Sequence, residues 1–302
     1  MYKNKIFKNF IILFVLFQIT GCSIKKVVMN NLLNSTGSSI SSIYLTENDP
    51  ELVRESLPTN IKLIELLIQQ SPENPSLLIS ACQAITVYSY AFILRDAELV
   101  LDEDFKQSRV FTERGKKLLK RAREYGYKAI ESKYPDFFIN YSQNPKKTLE
   151  NFNEKDLDVI YWVAASWALL ISISQENPKM LAELPDIGYF IDRGIEIDET
   201  YNDGSFYDLK FSYSIARPDI SNEVAIESYK KAKLLSNGSR ASLYISYAEL
   251  VSQKNQNREE FLSLIDKVLE FEINKYPNQR LSNILAKRRA DWLKNRLDFL
   301  FF

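Results

Sequence analysis

From Asp49 onward, apolar residues recur at three- and four-residue spacing, and no stretch alternates apolar and polar long enough to make a sheet strand. The spacing predicts helices over about 50–70, 75–100, 105–132, 154–175, 179–197, 205–215, 222–235, 240–254, 258–274 and 279–299. Their starts carry local signals. Asp49-Pro50-Glu51 offers a capping side chain, a proline at the first helical position and an acid in the first turn, and Asn74-Pro75 and Asn177-Pro178 repeat the cap-then-proline pattern. The stretch 134–152, broken by Tyr134-Pro135 and Asn144-Pro145, is the least regular. The expected fold is therefore all-α, about ten antiparallel helices with no clean linker between them.

A second period runs through the helices in pairs. Ala225-x3-Tyr229-x2-Ala232, Phe261-x3-Ile265-x2-Val268 and Ala122-x3-Gly126-x2-Ala129 share one spacing, that of the second helix of a tetratricopeptide repeat (TPR). Leu78, Ala81, Cys82 and Ile85 occupy the first-helix contact positions, and Trp162, Ala165, Ser166 and Leu169 reproduce that spacing. Small residues let helix backbones approach while large ones fill the groove. One pair cannot bury its apolar face alone, so stacked pairs must supply the core. The expectation is a TPR-like α-solenoid over residues 46–302, with Cys82 a packing residue in its seam.

The amino terminus follows different rules. Lys3, Lys5 and Lys8 precede a short apolar run, Ile11 to Phe17, which ends in Ile19-Thr20-Gly21-Cys22. The run is too short for a stable membrane span, and small residues followed at once by cysteine resemble the lipobox of bacterial lipoproteins. On that reading residues 1–21 are a signal peptide, Cys22 is acylated and becomes the first residue, and residues 22–45 are a tether. The mature chain then has 281 residues, with 36 basic and 39 acidic side chains in place of the balanced 39 and 39 of the whole sequence. No basic excess exists to neutralise nucleic-acid phosphates. With Cys22 acylated, Cys82 has no intramolecular partner. The sequence contains no histidine, which removes His bases, Ser-His-Asp and Cys-His nucleophile systems and His-ligated metal sites. Asp102-Glu103-Asp104 lacks calcium-loop spacing and reads as a helix cap. No cofactor or metal is expected.

Longer strings resemble a known family. They are Asp49-Pro50-Glu51-Leu52-Val53-Arg54-Glu55-Ser56-Leu57-Pro58-Thr59-Asn60, then Tyr161-Trp162-x-Ala164-Ala165-x-Trp167, Leu184-Pro185 leading to Asp192-Arg193-Gly194, and Ala286-Lys287-Arg288-Arg289-Ala290-Asp291-Trp292-Leu293. In that order they resemble the T component of tripartite ATP-independent periplasmic (TRAP) transporter systems. The resemblance implies a periplasmic lipoprotein of TPR-like fold, a trimer with a pore or groove through each protomer. It also implies association with the transporter's substrate-binding protein.

Candidate functional residues follow from helix geometry. If Cys82 and Ser166 face the seam, Gln83 and Trp167 point away from it. Val163, Trp167 and Ile171 share one face at four-residue spacing. These, with Tyr88 and Tyr90, are the candidate ligand-lining set. Lys116, Lys117 and Lys120 on the third helix, and Lys287, Arg288 and Arg289 on the last, are candidate docking charges for an acidic partner, or for an anionic bilayer in the case of the third helix. The expected protein is non-enzymatic. It is a lipid-anchored, periplasm-facing binder of a TRAP substrate-binding protein, on the outer or inner membrane, which assists uptake of a small organic or hydrophobic solute. The alternative is a TPR scaffold lipoprotein for envelope assembly, which would need an open peptide groove.

Overall fold

The computed structural model describes residues 43–302. The lipobox, Cys22 and most of the expected tether lie outside them. Among the described residues there are helices and no strands. Helix α1 (Pro50–Gln70) starts where Asp49 accepts from the backbone N–H groups of Glu51 and Leu52, and it buries Val53, Leu57, Ile61 and Ile64. Helix α2 (Pro75–Leu99) is capped by Asn74 and is interrupted by one π-turn, Ser89–Ile93. It is long and apolar enough to cross a membrane, yet Leu77, Leu78, Ala81, Cys82 and Ile85 are all within the protein core. Asp104 caps α3 (Phe105–Lys133) by accepting from Gln107.

The small residues of α3 explain how three helices meet. A β-carbon at Gly126 would lie 2.4 Å from Cγ2 of Val163 and 3.3 Å from Sγ of Cys82. Helix α3 therefore approaches both α2 and α6 (Leu157–Ser172) at backbone distance. Cys82 Sγ lies 4.0 Å from Ser166 Oγ, so the two expected seam residues do face each other.

The irregular stretch holds two short helices, α4 (Phe137–Gln143) and α5 (Pro145–Leu149). Phe137 stacks on Phe152 with ring centroids 5.2 Å apart. Buried Asp156 ties the corner by accepting from Lys133 Nζ at 2.6 Å, Tyr134 OH at 2.7 Å and the Asn153 backbone at 3.0 Å. Helices α7 (Pro178–Leu181), α8 (Leu184–Ile197), α9 (Tyr201–Ile215) and α10 (Asn222–Leu235) follow. In the α8 motif, Arg193 donates to the carbonyls of Glu150 and Phe152, and Gly194 leaves room for the Phe206 ring, which a β-carbon would meet at 2.2 Å.

Helix α11 (Ser242–Tyr247) runs into a second π-turn, Ala248–Ser252. Helices α12 (Arg258–Leu269), α13 (Arg280–Lys294) and α14 (Leu297–Leu300) end the chain. Most helices pack on their neighbours in chain order, and α3 passes to α6 across the short pair. Helix α13 also touches α1, and Leu281 joins a core cluster with Val53, Leu57, Ile61, Cys82 and Ile85. The last long helix thus returns to the first.

A polar recess closed by an arginine clasp

Two π-turns interrupt the helices, Ser89–Ile93 in α2 and Ala248–Ser252 after α11. Each inserts one extra residue into a helical turn, which re-aims the side chains around it. Tyr90 lies in the first and Glu249 in the second. Tyr90 is 65% exposed. Its hydroxyl is nonetheless pushed well above the usual phenol range, first by loss of hydration and then by Glu249, Asp208, Glu98 and Tyr161. The ring is exposed, and the charged and phenolic groups that act on its hydroxyl stand on α2, α6, α9 and the second π-turn, which together frame a recess.

The recess is aromatic with balanced charge. Asp208 Oδ2 accepts from Arg240 at 2.6 Å, and Arg240 also donates to Ser205 at 3.3 Å. Tyr161 packs edge to face on Trp162 at 5.1 Å, and burial raises its hydroxyl, with Arg240 opposing. The Tyr90 hydroxyl makes no hydrogen bond within the described residues.

One wall of the recess is also the closure of the fold. Arg289 on α13 donates to Glu98 of α2 and, through two nitrogens, to Glu249. Arg95 donates to Glu98 at 2.7 Å. The guanidinium carbons of Arg95, Arg289 and Arg296 lie 4.2, 4.5 and 4.6 Å from the centre of the Trp292 ring. Arg296 reaches Asp102, Arg288 pairs with Glu51 at 2.6 Å, and Arg280 donates to the Thr46 carbonyl at 3.1 Å. Burial, then Glu98, push the Glu249 carboxyl up to about 8, with Arg95 pulling it back; the two hydrogen bonds from Arg289 pull the same way as Arg95. Burial likewise raises Glu98 against Arg95.

The structure distributes the candidate residues among several places. Tyr90 lines the recess. Gln83 is half-buried on α2, and Tyr88 is buried with its hydroxyl accepting from Arg114 at 3.3 Å. Val163, Trp167 and Ile171 are buried. Their shared stripe packs into the largest hydrophobic cluster, and the Trp167 indole donates to Glu183 at 2.6 Å. Of the docking charges, Lys116 pairs with Glu113 and Glu176, while Arg288 and Arg289 are spent on the clasp. Lys117 and Lys120 are exposed, and Lys287 is half-buried. Glu98, Asp208, Arg240 and Glu249 are absent from the candidate set, because charged residues at helical spacing read as a solvated face. No group of three or more His, Cys, Asp or Glu side chains among the described residues is placed to hold a metal ion.

Among the described residues the chain is all-helical, and α13 is joined to α1 and α2 through Arg288 and Arg289. Its family is shown by comparison. The chain belongs to the TRAP transporter T-component family, whose model matches residues 46–301. It is also similar to an uncharacterised protein of Treponema pallidum (strain Nichols), 22% identical over 301 residues that cover 93% of each chain.

Proposed function

We propose that this protein is a lipid-anchored, periplasm-facing helper in TRAP transport, which binds the substrate-binding protein of the transporter and holds or passes its small organic or hydrophobic solute. The family match over residues 46–301 carries the reading. The helix pairs are read as TPR-like units stacked until α13 meets α1. Such a closed arrangement suits a solute recess better than an open peptide groove, which disfavours the envelope-scaffold alternative. The recess offers the chemistry for a small amphipathic solute: the Tyr90 hydroxyl, the Tyr161 ring, and the charges paired as Asp208–Arg240 and Glu249–Arg289. Its work is binding, not catalysis. The assembly in this reading is a homotrimer, an expectation that the family resemblance implies. Acylation at Cys22 would confine the protein near its partner and raise the effective concentration of a weak docking face. The test is affinity purification of the acylated protein from detergent-solubilised membranes of its own host. Co-elution of the TRAP substrate-binding protein is expected; elution with envelope-assembly proteins in its place would transfer the assignment to the scaffold reading.

A further inference from the structure

The outer face of α3 has a composition the fold does not use. Lys106, Arg109, Val110, Glu113, Arg114 and Lys117 line one open depression on it, at spacings that share a helix face. Val110 is 54% exposed, and Lys120 continues the stripe. Lys106, Arg109, Lys117 and Lys120 make no ion pair among the described residues, whereas Glu113 is already paired to Lys116. At the amino-terminal end of this face stand exposed Leu99, Leu101 and Phe105. Exposed Phe299 joins them, because Arg296 both pairs with Asp102 and lies over the Phe299 ring at 5.4 Å. Of the nearby acids, Asp102 is neutralised by Arg296, while Asp104 caps α3 and, like Glu103, makes no ion pair among the described residues.

Exposed aromatic and leucine side chains beside a basic helix face are the composition of an interfacial membrane anchor. Buried apolar area and attraction to anionic headgroups act together there. We propose that this face of α3, with the α2–α3 loop and Phe299, lies against the anionic surface of a phospholipid bilayer and fixes the orientation of the protein on its membrane. The inference rests on the lipoprotein reading for one step. Residues 22–42 span at most about 75 Å when fully extended, so an acyl chain at Cys22 keeps the face within reach of the bilayer. It also takes Lys117 and Lys120 out of the protein-docking set.

The experiment uses the full-length protein with Phe105→Cys carrying an environment-sensitive fluorophore. Cys82 is fully buried and Cys22 is blocked when acylated, so the label goes to position 105. The protein is reconstituted in vesicles of phosphatidylcholine alone or with 30% phosphatidylglycerol, with brominated lipids as quenchers. The expected result is a blue-shifted emission, quenched at least twofold more with phosphatidylglycerol than without. That excess should be lost in 0.5 M salt and in the Lys106→Glu/Arg109→Glu/Lys117→Glu variant, whose melting curve checks that it folds. A label equally solvent-exposed in both vesicles overturns the proposal. So does a label that shifts only when the substrate-binding protein is added, which would make the face a protein-docking surface. The mass of the protein reports acylation separately. If Cys22 carries no lipid, flotation of the protein with phosphatidylglycerol vesicles but not with phosphatidylcholine alone still supports the proposal, and failure to float with either overturns it.

Discussion

Arg289 is the residue on which the clasp is most exposed to test. Arg289→Met keeps an apolar stem over Trp292 and removes the guanidinium. Glu249, about a quarter exposed, loses two charge-assisted hydrogen bonds, a loss of about 1.5–3 kcal/mol. Glu98 is nearly half-exposed and keeps Arg95, so solvent screening limits its loss to about 0–1 kcal/mol. The stacked cation on Trp292 adds about 0.5–1 kcal/mol. The sum is roughly 3 kcal/mol, which lowers Tm by about 6–12 °C in a chain of this size. The deficit should also depend on pH. Without Arg289, burial and Glu98 still raise the Glu249 carboxyl, and only Arg95 opposes them. A carboxyl raised in the folded state binds its proton more tightly there than in the unfolded chain. Its contribution is fully present below the ordinary value of 4.5 and is lost as pH climbs toward about 8. Thermal and urea unfolding at pH 5 and pH 8 read both effects. Arg289→Met should be more damaging at pH 8, and adding Glu249→Gln should recover part of the loss there. A variant melting within about 1 °C of wild type at both pH values would refute the clasp as a stabilising closure.

Three more outcomes follow from the same geometry. Burial pushes the Cys82 thiol up to about 12, so a thiol reagent at pH 8 should label it only as fast as the protein unfolds; rapid labelling of the native state would contradict its place in the helix seam. Gly194→Ala puts a methyl group 2.2 Å from the Phe206 ring, and should cost about 1–3 kcal/mol in urea unfolding, partly recovered by Phe206→Leu. Cys22→Ser should leave the protein without acyl groups and with residues 1–21 retained by intact mass; a variant that matures and partitions into detergent like wild type would sink the anchor.

Much of the helix layout was legible because its signals are local. Asp49, Asn74, Asp104 and Asn177 cap helices through their own side chains, and Asn222–Leu235 begins and ends where the periodicity places it. The seam was legible too, since Ala81, Cys82, Ala122, Gly126 and Ala129 announce close backbone approach by size alone. The π-turns were not. One extra residue at Ser89–Ile93 or Ala248–Ser252 leaves the apolar period nearly unchanged, while it decides where Tyr90 and Glu249 point. Nor could sequence tell which charges close the fold. Arg288 and Arg289 look like any basic run until Glu51, Glu98 and Glu249 arrive from far along the chain. The first and last of the family-like strings meet at this closure, where Glu51 pairs with Arg288 at 2.6 Å. The strings in mid-chain hold packing roles, Trp167 on Glu183 and Arg193 on the Glu150 and Phe152 carbonyls.

We propose that this T component works by binding the substrate-binding protein of a TRAP transporter. Light scattering on the protein without its lipid, mixed with the TRAP substrate-binding protein of the same organism, tests it directly. The account predicts a defined complex heavier than either partner, with a fixed ratio of the two chains. Two unchanged species at high concentration would contradict it.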